Sequence, residues 1–282
     1  MIFKVGCHVS IAGSLEKSVE RAENIGCTTF QIFTGNPRGW NAKDISEKDV
    51  GDFTGKLENS HISPVVAHMP YLPNLATPKP DLYKKSCDVL IREIERCSLL
   101  KVPYLVTHLG SHLGKGRDEG VQRTVEALSG AVESVKSDVM ILLENTAGTK
   151  NSIGGTLEDI GEILDTAGKT KRIGTCFDTC HAFAAGYDLS TEKGFNETIS
   201  GYDTCIGLDR LKVVHLNDAK GECNSRLDRH EHIGLGKIGD EGLKRVVNHP
   251  KLRELAFILE TPVDKKRGDI ENVSHARELF DE

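Results

Sequence analysis

The sequence predicts an α/β protein, a (β/α)8 TIM barrel with its reactive groups gathered at the C-terminal ends of the strands. Three observations lead there. A short apolar run, then polar residues, then a helical pattern recurs eight times. Eight such units in 282 residues suit a closed (β/α)8 barrel. An open doubly wound sheet is the other arrangement this pattern allows, yet no G-x-G-x-x-G follows the first run and no shift in composition marks a second domain. One barrel domain over residues 1–282 is therefore expected.

The runs, in order, are FKVGCHVS (3–10), CTTFQIFTG (27–35), SPVVAHMPY (63–71), YLVTHLG (104–110), VMILLENTAG (139–148), IGTCFDTCH (173–181), LKVVHLND (211–218) and AFILETP (256–262). Nearly continuous apolar strands alternating with helices indicate a parallel sheet covered on both faces. Helical patterns between them include DLYKKSCDVLIREIERCSLL (81–100) and TLEDIGEILDTAG (156–168). The latter opens on Thr156 and Asp159, spaced as a capping box, and stops at Gly168, a good C-cap residue.

Composition narrows the function classes. The hydrophobic fraction is 38% and no apolar run approaches the roughly 20 residues of a membrane helix. The opening MIFKVGCHVS reads as a strand and not as a signal peptide. A cytoplasmic monomer without a membrane partner is the expectation. Eight scattered cysteines in a chain of this size indicate reduced thiols. The net charge of -6 gives no support to nucleic-acid binding, so a polyanionic partner requires a local positive field from clustered Lys and Arg or from bound cations.

In a barrel of this kind the chemistry sits where strands end. The third run ends in His68, the fourth in His108, the fifth in Glu144, the sixth in Asp178 and His181, the seventh in His215 and the eighth in Glu260. The stretch LDRHEHIGLG (227–236) adds Asp228 and His230, with His232 at the next alternate position; in an extended chain at least two of these three face one object. Each residue has an ordinary reading by itself, as a hydrogen-bonded histidine or a solvated loop residue. Glu144, Asp178 and Glu260 resist it, because a carboxylate at the edge of a dry core is costly unless paired or bound to a cation. Five imidazoles and four carboxylates at one mouth are not what independent structural roles predict.

Imidazole and carboxylate are ligands for zinc, manganese or iron, and a histidine-rich set favours zinc. Cys176 and Cys180 beside His181 form a soft-ligand alternative; burial as small apolar residues is the other reading, and the surplus of histidine makes them unnecessary. Nine donors exceed what one ion uses: two metals sharing a carboxylate take seven or eight, and three take all. Four carboxylates bring -4 and three Zn2+ bring +6, which would make the mouth positive inside an acidic protein. A one-metal sugar isomerase or epimerase would need only Glu144, Asp178, His215 and Glu260, leaving five donors without a role. A noncatalytic DNA-binding scaffold with structural zinc would need surface basic clusters, of which VDKKRGD (263–269) is the main one.

The motifs HVSIAGS (8–14), NPRGW (36–40), HMPYLPNLA (68–76), HLGSH (108–112), LLENTAG (142–148), FDTCHAFAAGYD (177–188), HLND (215–218), DRHEHIGLG (228–236) and LETP (259–262) resemble, in order and along essentially the whole chain, the endonuclease IV family. Its members are zinc-dependent apurinic/apyrimidinic endonucleases of base-excision DNA repair. The resemblance implies three Zn2+ and cleavage of double-stranded DNA 5′ to an abasic site, leaving a 3′-hydroxyl and a 5′-deoxyribose phosphate. Matched residue by residue, it implies a first metal on His68, His108 and Glu144, a second on Glu144, Asp178, His215 and Glu260, and a third on His181, Asp228 and His230. It further implies that a hydroxide held between the first two zincs attacks in line, positioned by Glu144. It assigns Arg38, Tyr71 and Leu72 to DNA binding, although Gly39 and Pro73 stand beside them where bulkier side chains are expected. His8, His112 and His232 fall outside the implied ligands, and Gln31 on the second run supplies none.

Overall fold

Each apolar run contributes one strand to a single parallel sheet. The computed structural model describes residues 3–168 and 170–281. In chain order the elements are β1 (Val5–Cys7), α1 (Glu16–Ile25), β2 (Phe30–Ile32), α2 (Glu47–Glu58), β3 (Val65–His68), α3 (Pro80–Leu99), β4 (Tyr104–His108), α4 (Arg117–Ser134) and β5 (Met140–Glu144). There follow α5 (Leu157–Thr166), β6 (Ile173–Asp178), α6 (Thr179–Ala185), α7 (Glu192–Cys205), β7 (Leu211–His215), β8 (Asp218–Ala219), β9 (His230–Glu231), α8 (Gly239–Asn248), β10 (Ala256–Leu259) and α9 (Asp269–Glu278). The eight-stranded order is β1-β10-β7-β6-β5-β4-β3-β2, and β8 pairs antiparallel with β9 as a small ribbon. Among the described residues no helix is long and apolar enough to cross a membrane.

The ring closes between β1 and β2 through one parallel bridge, His8 to Gln31, where the Val9 N–H donates to the Gln31 carbonyl at 2.7 Å. The chains approach closely at this seam: a Cβ on Gly6 would overlap the carbonyl oxygen of Thr29.

The strands are shorter than the runs because each run continues past the sheet into the loop at the barrel mouth. The sixth departs furthest from expectation. After Asp178 the chain turns at once into α6, and the Asp178 side chain caps it, Oδ1 accepting from the His181 N–H at 2.7 Å. His181 therefore projects from the first turn of a helix and not from a strand end. Helix α3 lies where the pattern placed it. Helix α5 begins after Thr156, whose hydroxyl accepts from the Asp159 N–H at 3.2 Å. The reciprocal half of the box is missing, because the Asp159 carboxylate instead accepts from Arg117 Nε at 2.8 Å and the Gly154 N–H at 3.1 Å.

Two apolar layers result. Val66, Val106, Leu142, Cys176, Val213, Ala256 and Ile258 pack together inside the barrel. Residues of opposite parity, among them Val65, Leu105, Ile141, Phe177 and Phe257, pack outward against the helices in a second, larger cluster. Cys176 belongs to the inner layer, where burial is the largest influence on its thiol and pushes it up to about 12. Cys180 sits in the outer layer on α6.

The seam gives a stability test. Gly6→Ala is expected to cost about 3 kcal/mol or more, since backbone must move to admit the methyl group. Gly130→Ala on α4, where a Cβ meets nothing within 4 Å, is expected to gain about 0.5–1 kcal/mol by lowering the entropy of the unfolded chain. Urea unfolding of both variants checks the contrast; equal midpoints would show that close approach at Gly6 does not limit closure.

Candidate metal centre

Strand register assembles the site. His68, His108, Glu144, Asp178, His215 and Glu260 each lie two residues beyond a member of the inner apolar layer, so each points into the barrel one level above it. Glu144 stands at the centre, fully buried. Its Oε2 lies 3.1 Å from His68 Nε2 and 3.6 Å from His108 Nδ1, and its Oε1 lies 3.0 Å from His215 Nδ1 and 3.3 Å from His181 Nδ1. His215 Nδ1 also faces Glu260 Oε2 at 3.4 Å and Asp178 Oδ2 at 3.9 Å. From the loop after β7, Asp228 Oδ1 approaches His181 Nε2 at 3.2 Å and His230 Nε2 at 3.8 Å.

The outer nitrogens of the imidazoles are engaged in a way that sets the inner ones. Nδ1 of His68 meets the Met69 carbonyl at 2.7 Å, Nδ1 of His181 the Asn145 carbonyl at 3.0 Å, and Nδ1 of His230 the Glu260 carbonyl at 2.9 Å. A carbonyl oxygen only accepts, so each Nδ1 carries a proton, and each Nε2 faces the carboxylates either with a second proton or with a lone pair open to a cation. His215 is turned the other way, its Nε2–H donating to Gln31 Oε1 at 2.9 Å. Lone pairs facing carboxylate oxygens repel unless a proton or a cation stands between them. Among the described residues His230 Nε2 is buried with no hydrogen-bond partner at all.

These donors satisfy the geometric demand of metal ligands. They fall into three groups whose ligand atoms lie within 4.8 Å of one another: His68, His108 and Glu144; Glu144, Asp178, His215 and Glu260; and Asp178, His181 and His230. Asp178 thus borders two groups and Glu144 two. Asp228 approaches the third from its exposed side, at the distances given above. Neither Cys176 nor Cys180 joins any of them.

Electrostatics follow the same pattern. Burial pushes the Glu144 carboxyl up, but His108, His215 and His181 outweigh it and hold the group well below the usual carboxylate range. Glu260 is likewise held low against burial by His215 and His8. Burial pulls His68 down while Glu144 raises it above its ordinary value; at His181 burial is outweighed by Asp178, Asp228 and Glu144. For His108 burial prevails and the ring is shifted down. Glu144 and Glu260 are therefore ionised and available as ligands.

Of the alternating trio in LDRHEHIGLG, Asp228 and His230 reach the site and His232 does not. His232 is buried elsewhere, with Nε2 3.1 Å from Asp264 Oδ1 and Nδ1 accepting from Asn272 Nδ2 at 3.0 Å. Local pattern gave no notice of the residues that hold the ligands. Asn145 brackets Asp178 with two hydrogen bonds to its backbone, at 2.8 and 2.9 Å. Asn217 donates to Asp178 Oδ2 at 2.7 Å and accepts from the Glu260 N–H at 2.8 Å. Gln31 holds His215 and Glu260, and His8 accepts from Gln31 Nε2 at 3.0 Å. The adjacent Asn in LLEN and HLND was the only available signal.

The donors open into a cleft of about 420 Å³, also lined by Phe33, Tyr71, Thr261 and Val263. Tyr71 is 62% exposed and Leu72 39%. The Tyr71 N–H donates to the Pro37 carbonyl at 3.1 Å, joining the loop that carries Tyr71 and Leu72 to the loop that carries exposed Arg38. Of the three residues expected to meet DNA, Tyr71 lines the cleft, Leu72 follows it on the same loop, and Arg38 stands on the loop joined to it.

A family model described as a xylose isomerase-like TIM barrel matches residues 19–282. The protein named "Probable endonuclease 4" from Methanoculleus marisnigri is 54% identical over 98% of this chain and 98% of its own length. Its namesake from Cenarchaeum symbiosum is 52% identical over 98% and 99%. The crystal structure of endonuclease IV from Thermus thermophilus superposes with a TM-score of 0.87 at 37% identity, covering 98% of each chain. Relatives at this identity along the full length show that the chain belongs to the endonuclease IV family of TIM barrels.

Proposed function

We propose that the chain is a zinc-dependent apurinic/apyrimidinic endonuclease, a cytoplasmic monomer with one barrel domain over residues 1–282. Its reaction is hydrolysis of the phosphodiester 5′ to an abasic site in double-stranded DNA, leaving a 3′-hydroxyl and a 5′-deoxyribose phosphate. The observation that carries the reading is the convergence of eight donors into three groups beneath one cleft, with Asp228 at the exposed side of the third and three histidines turned toward the groups by Nδ1–H bonds to backbone carbonyls. Endonuclease relatives supply the class of substrate.

In this reading His68, His108 and Glu144 hold a first Zn2+, Glu144, Asp178, His215 and Glu260 a second, and His181, Asp228 and His230 a third. Bound cations at such a site acidify water and neutralise phosphoryl charge, which is what phosphodiester hydrolysis needs at neutral pH. Glu144 is the catalytic carboxylate because its two oxygens face two different groups, so the same side chain orders both. The apolar layer beneath excludes water from below and leaves the cleft as the approach to the donors. A one-metal isomerase would use the second group alone and leave the other donors' orientation without a purpose.

At the rim, Arg38 meets backbone phosphate while Tyr71 and Leu72 fill the gap in the base stack. Extruding a nucleotide that has no base avoids a few kcal/mol of unstacking, which gives the lesion its preference.

Three measurements test this. Elemental analysis of exhaustively dialysed protein is expected to give about three transition-metal ions per chain, mainly zinc, with His181→Ala and His230→Ala each losing about one; a fully active parent with one ion or fewer would overturn the trinuclear reading. Glu144→Gln keeps shape and removes charge, so incision of abasic duplex is expected to fall about 10³-fold or more with the fold retained, whereas Gln122→Ala on the outer face of α4 stays at parental rate. Near-parental incision by Glu144→Gln would remove that residue's role. Finally, in the Glu144→Gln background at one fixed ionic strength, replacing Tyr71 and Leu72 by Ala is expected to reduce the affinity ratio of abasic over intact duplex while metal content holds. An unchanged ratio would make these two side chains ordinary surface residues.

A further inference from the structure

We infer that Gln31 is a positioning residue of the metal centre, whose single amide fixes both the ring tautomer of His215 and the oxygen that Glu260 offers as ligand. The inference rests on the metal-centre reading above. It begins from three bonds. Gln31 is fully buried on β2, and its Oε1 accepts from His215 Nε2 at 2.9 Å. Its Nε2 donates to Glu260 Oε1 at 2.7 Å and to His8 Nδ1 at 3.0 Å. Both amide hydrogens and the carbonyl are thereby used.

The order of causes is fixed by charge. Glu260 is a carboxylate and only accepts, so the face of the amide toward it must be the NH2 group; the reversed amide would set its carbonyl oxygen against a negative charge. The carbonyl then faces His215 and accepts from Nε2–H. That leaves the lone pair of His215 on Nδ1, directed at Glu144 Oε1, Glu260 Oε2 and Asp178 Oδ2. With Oε1 of Glu260 occupied by the amide, Oε2 is the oxygen turned toward His215 Nδ1 at 3.4 Å. One side chain from β2 thus selects the donor atoms of two ligands carried by β7 and β10. The same residue forms the backbone bridge that closes the barrel at β1, so its position is set by the fold and not by the ligands it holds.

Outer partners of this kind are worth 10–100-fold in metal affinity. The experiment is a chelator-competition titration with Zn2+ on the parent, Gln31→Leu and Gln31→Glu, beside ring 15N spectra of the parent labelled at histidine. Gln31→Leu removes all three bonds. Gln31→Glu keeps an acceptor for His215 but sets a second carboxylate against Glu260. Both are expected to weaken one bound Zn2+ by 10–100-fold and leave the remainder at parental affinity, and the parent spectrum is expected to show His215 protonated at Nε2. Folded variants with parental affinities, or a His215 ring protonated at Nδ1, would overturn the inference. If neither variant folds, the parent spectrum decides. A parent that binds no Zn2+ tightly would defeat the metal-centre reading itself, and its His215 tautomer would still report on Gln31.

Discussion

A side chain two residues beyond an inward-facing one faces inward again, and in a closed parallel sheet that repeat stacks the interior in layers. The whole site depends on it. Val66 and His68, Val106 and His108, Leu142 and Glu144, Cys176 and Asp178, Val213 and His215, and Ile258 and Glu260 are six instances of one step. The lower member of each pair is apolar and closes the barrel; the upper is a ligand-type residue. A shift of one residue in any strand would send its donor into the helix layer and bring an outward apolar residue into the mouth. Register therefore fixes the chemistry as well as the packing.

That placement creates the electrostatic problem the site must solve. Carboxylates set directly on an apolar floor lose their water, and Glu144 has no solvent exposure at all. Imidazoles answer part of the demand, which is why Glu144 and Glu260 are held ionised in spite of burial. The carbonyl-bound Nδ1 atoms of His68, His181 and His230 answer in the other direction: they keep each ring oriented with Nε2 inward, an arrangement that protons or cations satisfy and neutral packing does not.

Much of this was legible in the sequence, and the division has a physical basis. Strands were visible because a doubly covered strand must be apolar along its length, and six donors were placed because a polar residue ending such a run has few reasons to be there. His181 is expected at a strand end but stands on a helix, since Asp178 ends the strand and caps α6 in one stroke. His232 shares the spacing of Asp228 and His230 but turns to Asp264 and Asn272, partners 32 and 40 residues away. Gln31 has no local signal, because its partners are 184 and 229 residues distant and no local period reports them. Local pattern shows which way a side chain faces; only closure of the ring shows whom it meets.

The loop after β7 raises a separate question, because it carries Asp228 and His230 and a functional side chain on a loop is ordinarily less well placed than one on a strand. Here the loop is clamped at its base. The buried Asp218 carboxylate accepts from the N–H groups of Ala219, Gly236, Ile238 and Gly239 at 2.8, 2.9, 3.0 and 3.3 Å. A Cβ on Gly236 would run into Asp218 and the Ala219 carbonyl, so the returning chain can lie this close only as glycine. Further out, Asn224 and Arg226 adopt left-handed φ of 62° and 57°, and their N–H groups bond the Phe183 and Ala184 carbonyls of α6. The excursion is thus fastened to the helix that carries His181, its partner in the third group, and the left-handed residues mark where the backbone bends to make that attachment. By contrast the rim loop bearing Tyr71 and Leu72 leaves its large apolar side chains in solvent. Fixed donors thus lie beneath an exposed rim: the backbone clamps hold the centre in place, while the side chains around its mouth are held by few partners and face the solvent.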